Sequence, residues 1–295
     1  GDINRKCVFY CDNEFGSDII DTDTLIFRLY NSAGNSVKVN NIYELEREIE
    51  DNETSHIQIV SGTYTFGSST GVFNLQFFNK SNMVIEGIGN VLFETSSTSS
   101  LSSIIDLINS SNITFRNINF NLANANDNCI RFNSGTCSDI IIDNCNFTQL
   151  NVGSFRNIIS IVSSGTTNNV SIKNCSFSLL NDRLTAINST QLAGNISNIL
   201  INNCNFSSTA TNSKYITSSA NNVIIKECTF DSIADEAITL TTSSTNSNSV
   251  IISDCIFDSI TDNSINLISN GAGADHIIIS NCIFESCSPV LANSA

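Results

Sequence analysis

The sequence has no tryptophan, one proline and only 14 glycines in 295 residues. Charge is sparse as well. Only 13 residues are lysine or arginine, against 28 aspartates and glutamates, for a net charge of −15. A surface so poor in cations repels phosphate backbones, so nucleic acid is not an expected partner. No apolar run approaches the length of a membrane span, so this segment is not expected to insert in a membrane. Catalytic signatures are missing too. There is no Ser-His-Asp arrangement and no phosphate loop. No cofactor is called for.

Asn, Ser, Thr and Ile fill the space instead. At 41% hydrophobic residues the chain is too rich in Ile, Val and Phe to be disordered. It is long enough for one large domain with a core. A pentapeptide recurs along it: "DNCNF" (143–147), "KNCSF" (173–177), "NNCNF" (202–206), "KECTF" (226–230), "SDCIF" (253–257) and "SNCIF" (280–284). Its cysteines, Cys145, Cys175, Cys204, Cys228, Cys255 and Cys282, follow one another at intervals of 24–30 residues. Upstream, "RNINF" (116–120) puts Ile118 in the cysteine slot, and "EGIGN" (86–90) puts Ile88 there. A period of this size means stacked coils.

Within each unit apolar residues alternate with polar ones. Two inward columns precede the bend, one beginning at Ile113, Ile140 and Val170, the other at Phe115, Ile142 and Ile172. The cysteine and phenylalanine columns follow it. Alternation with β-branched residues is a strand signal. A third short strand completes each unit, as in "IIDL" (104–107), "CIRF" (129–132) and "AITL" (237–240). The expected fold is all-β: a right-handed, single-stranded parallel β-helix of about eight coils spanning residues 55–295. The polar residue of the pentapeptide marks a sharp bend. Asn117, Asn144, Asn174, Asn203, Asp254 and Asn281 occupy it, because Asn and Asp tolerate the left-handed conformation. Their side chains are expected to bond along the rod, leaving Asn174, one of the Asn-x-Ser/Thr sequons, inaccessible.

This pattern resembles the pectin-lyase-like superfamily, with "NITFRNINF" (112–120) as the best local match. The resemblance implies the fold, and it leaves function open among lyases, hydrolases, esterases, phage tailspikes and adhesins. The Asn-rich repeat looks most like the adhesin-like surface proteins of methanogenic archaea.

The ends differ from the repeat. Residues 1–54 read as a cap region containing an amphipathic helix over 41–52. There Ile42, Leu45 and Ile49 share a face, and Asn41 with Glu44 forms a capping box. The helix is expected to plug the rod, and "IQIVSGTYTF" (57–66) to form the first coil. "TLIFRLYN" (24–31) reads as part of a cap or extra strand. At the other end "PVLANSA" (289–295) looks like the start of another coil. Continuation of the chain, or a partner covering that end, is the expectation.

Six cysteines fall in the inward column and read as buried thiols, since ladder neighbours point in parallel and disfavour bridging. Cys287 is placed in an inward slot shared with Ile233 and Ile260, and Cys137 in a turn. Cys7 and Cys11, off the repeat, are the candidate disulfide. No zinc or other metal site is apparent in the cysteine spacing.

The outward positions of the third strand are the binding face the resemblance implies. Only Asp106 and Arg131 are charged there, and they read as a cross-strand ion pair. Asp235, Glu236 and Asp262 lie in corresponding turns of adjacent coils and form a candidate acid–base cluster. Asp127 and the pair Asp182–Arg183 read as solvated turn residues. His56 and His276 are far apart and read as turn residues. The reading that follows is a non-catalytic, adhesin-like stalk at a cell or virion surface, with glycans or surface proteins of another cell as partners. The alternative is a polysaccharide-active lyase or glycoside hydrolase, including a tailspike-type glycanase.

Overall fold

The computed structural model describes residues 36–51, 54–67, 74–96, 102–122, 128–149, 156–161, 165–180, 184–190, 195–209, 213–233, 235–243, 249–270 and 276–294. Cys7, Cys11, "TLIFRLYN", Asp127, Asp182 and Arg183 lie outside the described residues.

The chain winds as a parallel β-helix with three strands per turn. Row A precedes the bend, row B follows it, and row C closes the turn. One full turn runs through Cys137–Asp143 (row A), Asn146–Gln149 (row B) and Arg156–Ser160 (row C). Rows A and B form a single 17-stranded sheet that folds at the bend, and row C is a second sheet of nine strands. All pairings between successive turns are parallel, for example Ile142 with Ile172 and Ile172 with Ile201. The winding is right-handed, as parallel crossovers are.

Register follows the sequence columns. Ile113, Ile140, Val170, Ile199, Val223, Val250 and Ile277 are consecutive partners. In row B, Phe120, Phe147, Phe177, Phe206, Phe230, Phe257 and Phe284 stack with ring centroids 4.8–4.9 Å apart and planes within 9° of parallel. That spacing is the distance between neighbouring strands, so each ring rests on the ring of the turn before. A one-residue slip would turn every ring outward, which is why the register is firmly specified.

The bend also forms as expected. Asn117, Asn144, Asn174, Asn203, Asp254 and Asn281 all have φ between 51° and 60°. Amide bonds run along the rod: Asn144 Nδ2 donates to Asn117 Oδ1 at 2.8 Å, Asn203 to Asn174 at 2.8 Å, and Asn281 to Asp254 at 3.2 Å. Asn174 instead donates to Asp143 at 2.7 Å. The ladder lies on the surface. Asn174 is exposed, contrary to the expectation that stacking would hide it. Glu227 takes the bend position of its turn with φ 56°.

A second ladder escaped the sequence reading. Asn82, Asn112, Asp139, Asn169, Asn198 and Asn222 begin row A with φ between 51° and 58°. Each sits directly before a residue of the first inward column, and that recurrence was the available signal.

Beside the bend, Cys145, Cys175, Cys204, Cys228 and Cys255 are buried free thiols, and Cys282 is half-buried. Each Sγ donates to a backbone carbonyl of its own turn, as Cys175 does to Lys173 at 3.1 Å. Contact with the preceding thiol, together with burial, pushes Cys204 and Cys228 up to about 12. Cys137 is no turn residue. It opens a row A strand, paired with Thr167, and is fully buried. Cys287 packs half-buried against the core.

The helix runs from Ile42 to Glu50, slightly shorter than the predicted 41–52. Asn41 Oδ1 caps it by accepting from the Glu44 amide at 2.9 Å, and Glu44 reaches back to the Asn40 amide at 3.0 Å rather than to that of Asn41. Ile42, Leu45 and Ile49 are buried against the first turn. Ser36–Val39 adds one parallel strand before His56–Phe66. At the other end Ser288–Ser294 pairs with Asn263–Asn270 and extends row C.

The cysteine slot of the second turn holds Val91, not Ile88. Leu92 pairs with Asn119, which sets Val91 beside Ile118, and Ile88 is 41% exposed. The Gly87–Asn90 segment bulges outward here, with Gly89 at φ 81°.

Candidate functional site

Row C presents its outward column in register: Asp106, Arg131, Ser160, Asn188, Thr217, Thr239 and Asn266. The column is not an open face. Asp106, Ser160, Thr239 and Asn266 are each at most 7% exposed. Asp106 receives two parallel bonds from Arg131, both 2.7 Å, one from Ser103 at 2.5 Å and one from Asn74 at 3.0 Å. Its lone pairs are spent on neighbours, so this pair ties adjacent turns together and offers little to a substrate.

The second candidate is more open. Asp235 and Glu236 lie just before the row C strand Ile238–Ser243, and Asp262 just before Asn263–Asn270. The winding brings one carboxylate oxygen of each within 4.8 Å of the others. Two further residues join them. Lys214 Nζ lies 2.6 Å from Glu236 Oε2, and Asn266 Nδ2 donates to Glu236 Oε1 at 3.0 Å. The sequence reading placed Asn266 on this face but did not connect it, and it missed Lys214. The signal was there: Lys214 and Glu236 each sit two residues before paired isoleucines, Ile216 and Ile238.

The surroundings push the two adjacent carboxyls apart. Burial, then the neighbouring Glu236, raises Asp235 to about 6. The bond from Asp235 and the Lys214 ammonium lower Glu236 to about 2, against the opposing effect of burial. Asp235 also accepts from the Glu236 amide at 2.9 Å, and Asp262 from the Asn263 amide at 2.8 Å, which orients both side chains. The result is a carboxyl at Asp235 that gives up its proton only near pH 6, a carboxylate fixed by a cation at Glu236, and an exposed carboxylate at Asp262. Separated pKa values in one cluster are the arrangement acid–base chemistry needs. Three carboxylates are also a partial ligand set for a divalent cation. Calcium takes six to eight oxygens, and the Lys214 ammonium already holds Glu236, so the cluster is better suited to proton transfer.

His56 stands in a strand rather than a turn. Its Nε2 lies 3.0 Å from Glu86 Oε2, and Arg116 approaches Glu86 Oε1 at 3.0 Å. Burial raises the Glu86 carboxyl, but the bonds from Arg116 and His56 outweigh it and hold it low. His276 opens a row A strand at the opposite end of the sheet.

No family model matches the chain, and no curated protein matches it in sequence. Several solved structures share its winding. A pectate lyase variant from Xanthomonas campestris is 12% identical, covering 88% of this chain and 83% of that one, with a TM-score of 0.48. The architecture shared is the parallel β-helix, which the chain's own strand pairings set. A tailspike protein from Acinetobacter baumannii bacteriophage Fri1, a capsular polysaccharide depolymerase, is 12% identical over 97% of this chain and 69% of its own, at TM-score 0.46. An endo-xylogalacturonan hydrolase from Aspergillus tubingensis is 11% identical over 87% and 93%, at 0.41. At such identities these likenesses carry nothing about chemistry, which rests on the cluster itself.

Proposed function

We propose that this β-helix is a polysaccharide-active enzyme acting through the Asp235–Glu236–Asp262 cluster. The observation that carries the reading is the opposed shift of Asp235 and Glu236 in a cluster whose oxygens lie within 4.8 Å. Asp235, protonated below about pH 6, is the general acid that donates to the leaving glycosidic oxygen. Asp262, exposed on the next turn, is the charged partner, as nucleophile or as base toward water. Glu236 is a positioning residue that keeps the proton on Asp235. The close approach favours the retaining geometry, with carboxyls about 5–5.5 Å apart, over the inverting one at about 6.5–9.5 Å.

A second reading is a non-catalytic, adhesin-like surface module that binds glycans or surface proteins. The uncharged run Ser160, Asn188, Thr217, Thr239 and Asn266 along row C favours it. Both readings place the protein outside the cell or on a virion.

The test is incubation with neutral, amino-sugar and uronate polysaccharides, reading new reducing ends and unsaturated ends separately. Reducing ends alone, lost at least 100-fold in D235N and D262N, support the hydrolase. Unsaturated ends support a lyase. No cleavage of any polymer, with binding on a glycan array, gives the adhesin reading.

A further inference from the structure

The outer face of row A carries a trough that belongs to neither candidate cluster. Its floor is the column of outward residues in the middle of each row A strand: Ile141, Ser171 and Leu200 are consecutive partners. The small Ser171 between two large aliphatics opens a hollow of about 350 Å³, walled on one side by Asn112, Asp139, Asn169 and Asn198. The floor continues past it as Ile224, Ile251 and Ile278, of which Ile224 is 37% and Ile278 52% exposed. On the other side of the floor, outside the hollow itself, runs the outward column two residues on, including Arg116, Asp143 and Lys173.

The wall on the asparagine side is an array of polar groups repeated once per turn. Asn112 Nδ2 donates to Asn82 Oδ1 at 2.7 Å and Asn169 Nδ2 to Asp139 Oδ1 at 2.9 Å. An amide has two N–H groups, so Asn112 and Asn169 each keep a second one for a ligand and Asp139 keeps a second oxygen, whereas Asn198 donates to both Asn168 and Asn169. Charge in this stretch cancels. Along the two columns beside the floor, from Glu86 to Lys226, Arg116, Lys173 and Lys226 stand against Glu86, Asp139 and Asp143, three of each sign; Arg116 is held by Glu86, and Lys173 lies 3.5 Å from Asp143. On a chain of net charge −15 this is a neutral strip.

We propose that the trough binds an uncharged polysaccharide chain lying along the rod. A pyranose has an apolar C–H face and a hydroxyl edge. The aliphatic floor takes the first and the asparagine wall takes the second. The turn-to-turn distance of 4.8–4.9 Å is close to the length of one sugar in an extended chain, so successive sugars meet successive turns. The balanced charges select against polyanions and offer a polycation nothing. The site lies on a different sheet from the carboxylate cluster and stands or falls without it.

Calorimetric titration of the full chain with cellohexaose, maltohexaose, xylohexaose and hexagalacturonate tests this, alongside S171W, L200S and D235N. S171W fills the hollow and L200S strips its floor, and both positions face outward. At least one neutral hexasaccharide is expected to bind, at least tenfold more weakly to S171W and severalfold more weakly to L200S, and unchanged to D235N. Cleavage of short substrates, where present, is lost in D235N and retained in S171W. The proposal is overturned if no neutral hexasaccharide binds, if only hexagalacturonate binds, or if S171W and L200S bind like the parent. It is also overturned if the parent self-associates and S171W is monomeric, which would assign the trough to a second copy.

Discussion

The two entry turns and the seven regular turns that follow solve the same bend differently. From Ser111 onward, a single left-handed residue turns row A into row B, and two residues separate Arg116 from Asn119. In the entry, five separate their partners, Glu86 and Leu92, and the extra residues leave the rod as a bulge through Gly87 and Gly89. The consequence reaches the core. Phe66 and Phe93 meet at 65°, and Phe93 and Phe120 at 85°, whereas the rings beyond Phe120 lie flat on one another. Repetition of the short bend brings each strand back to the same rotation, and that is what allows the rings to stack.

The largest expected effect lies in the stack. Phe177→Ala should cost about 3–5 kcal/mol by leaving a ring-sized cavity between two parallel neighbours. Phe93→Ala should cost less than Phe177→Ala if flat stacking outweighs edge contacts, and paired urea melts read the difference. Next is Gly87→Ala. A Cβ there would sit 2.1 Å from the Asn117 carbonyl oxygen, so the bulge must shift, at about 1–3 kcal/mol. Hydrogen exchange should show the loss in 56–66 and spare 137–149.

Asn174→Ala should cost about 1–2 kcal/mol, the left-handed penalty for a Cβ residue without a local polar partner. Asn174→Gly removes that penalty and keeps only the loss of two ladder bonds. If Gly proves as damaging as Ala, the bonds and not the backbone conformation fix the bend.

Smaller still is Glu86→Gln, at about 0–1 kcal/mol, since Arg116 is 40% exposed. Glu86 is held below its ordinary 4.5, so its contribution is complete above that value and disappears as pH falls further. The melting difference between parent and E86Q should therefore shrink in acid. For the proposed enzyme, activity should fall above about pH 6 as Asp235 loses its proton. Glu236→Gln, by removing the adjacent negative charge, should move that alkaline limb to lower pH. In stability the two groups oppose each other. The share from Asp235 is present below 3.8 and lost as pH rises through about 6, while that from Glu236 is present above 4.5 and lost as pH falls through about 2.

The regular turns were legible because their signals are local and repeated. The Asn–Cys–x–Phe spacing fixes a bend, a small inward residue and a large one, and the period fixes the stacking. The entry was misread at Ile88 because "EGIGN" imitates the pentapeptide, while the residue that fills the slot, Val91, lies beyond a bulge with no repeat to reveal it. Cys137 was misplaced because its turn opens row A one position earlier than its polar neighbours suggest. At the candidate site, Asp235, Glu236 and Asp262 could be grouped from corresponding turns. Lys214, 22 residues before Glu236, shares its slot in the preceding turn, but the slot alone does not say which carboxylate the ammonium reaches.

The sequence alone determined the winding, the inward columns and the left-handed bends, because each depends on backbone preference and on a period written into the chain. Only the tertiary structure decided which outward residues are hidden, which carboxylate Lys214 holds, and that Ser171 leaves a hollow between Ile141 and Leu200. Those outcomes depend on contacts between turns, where side chains 20 to 30 residues apart compete for the same space and the same protons.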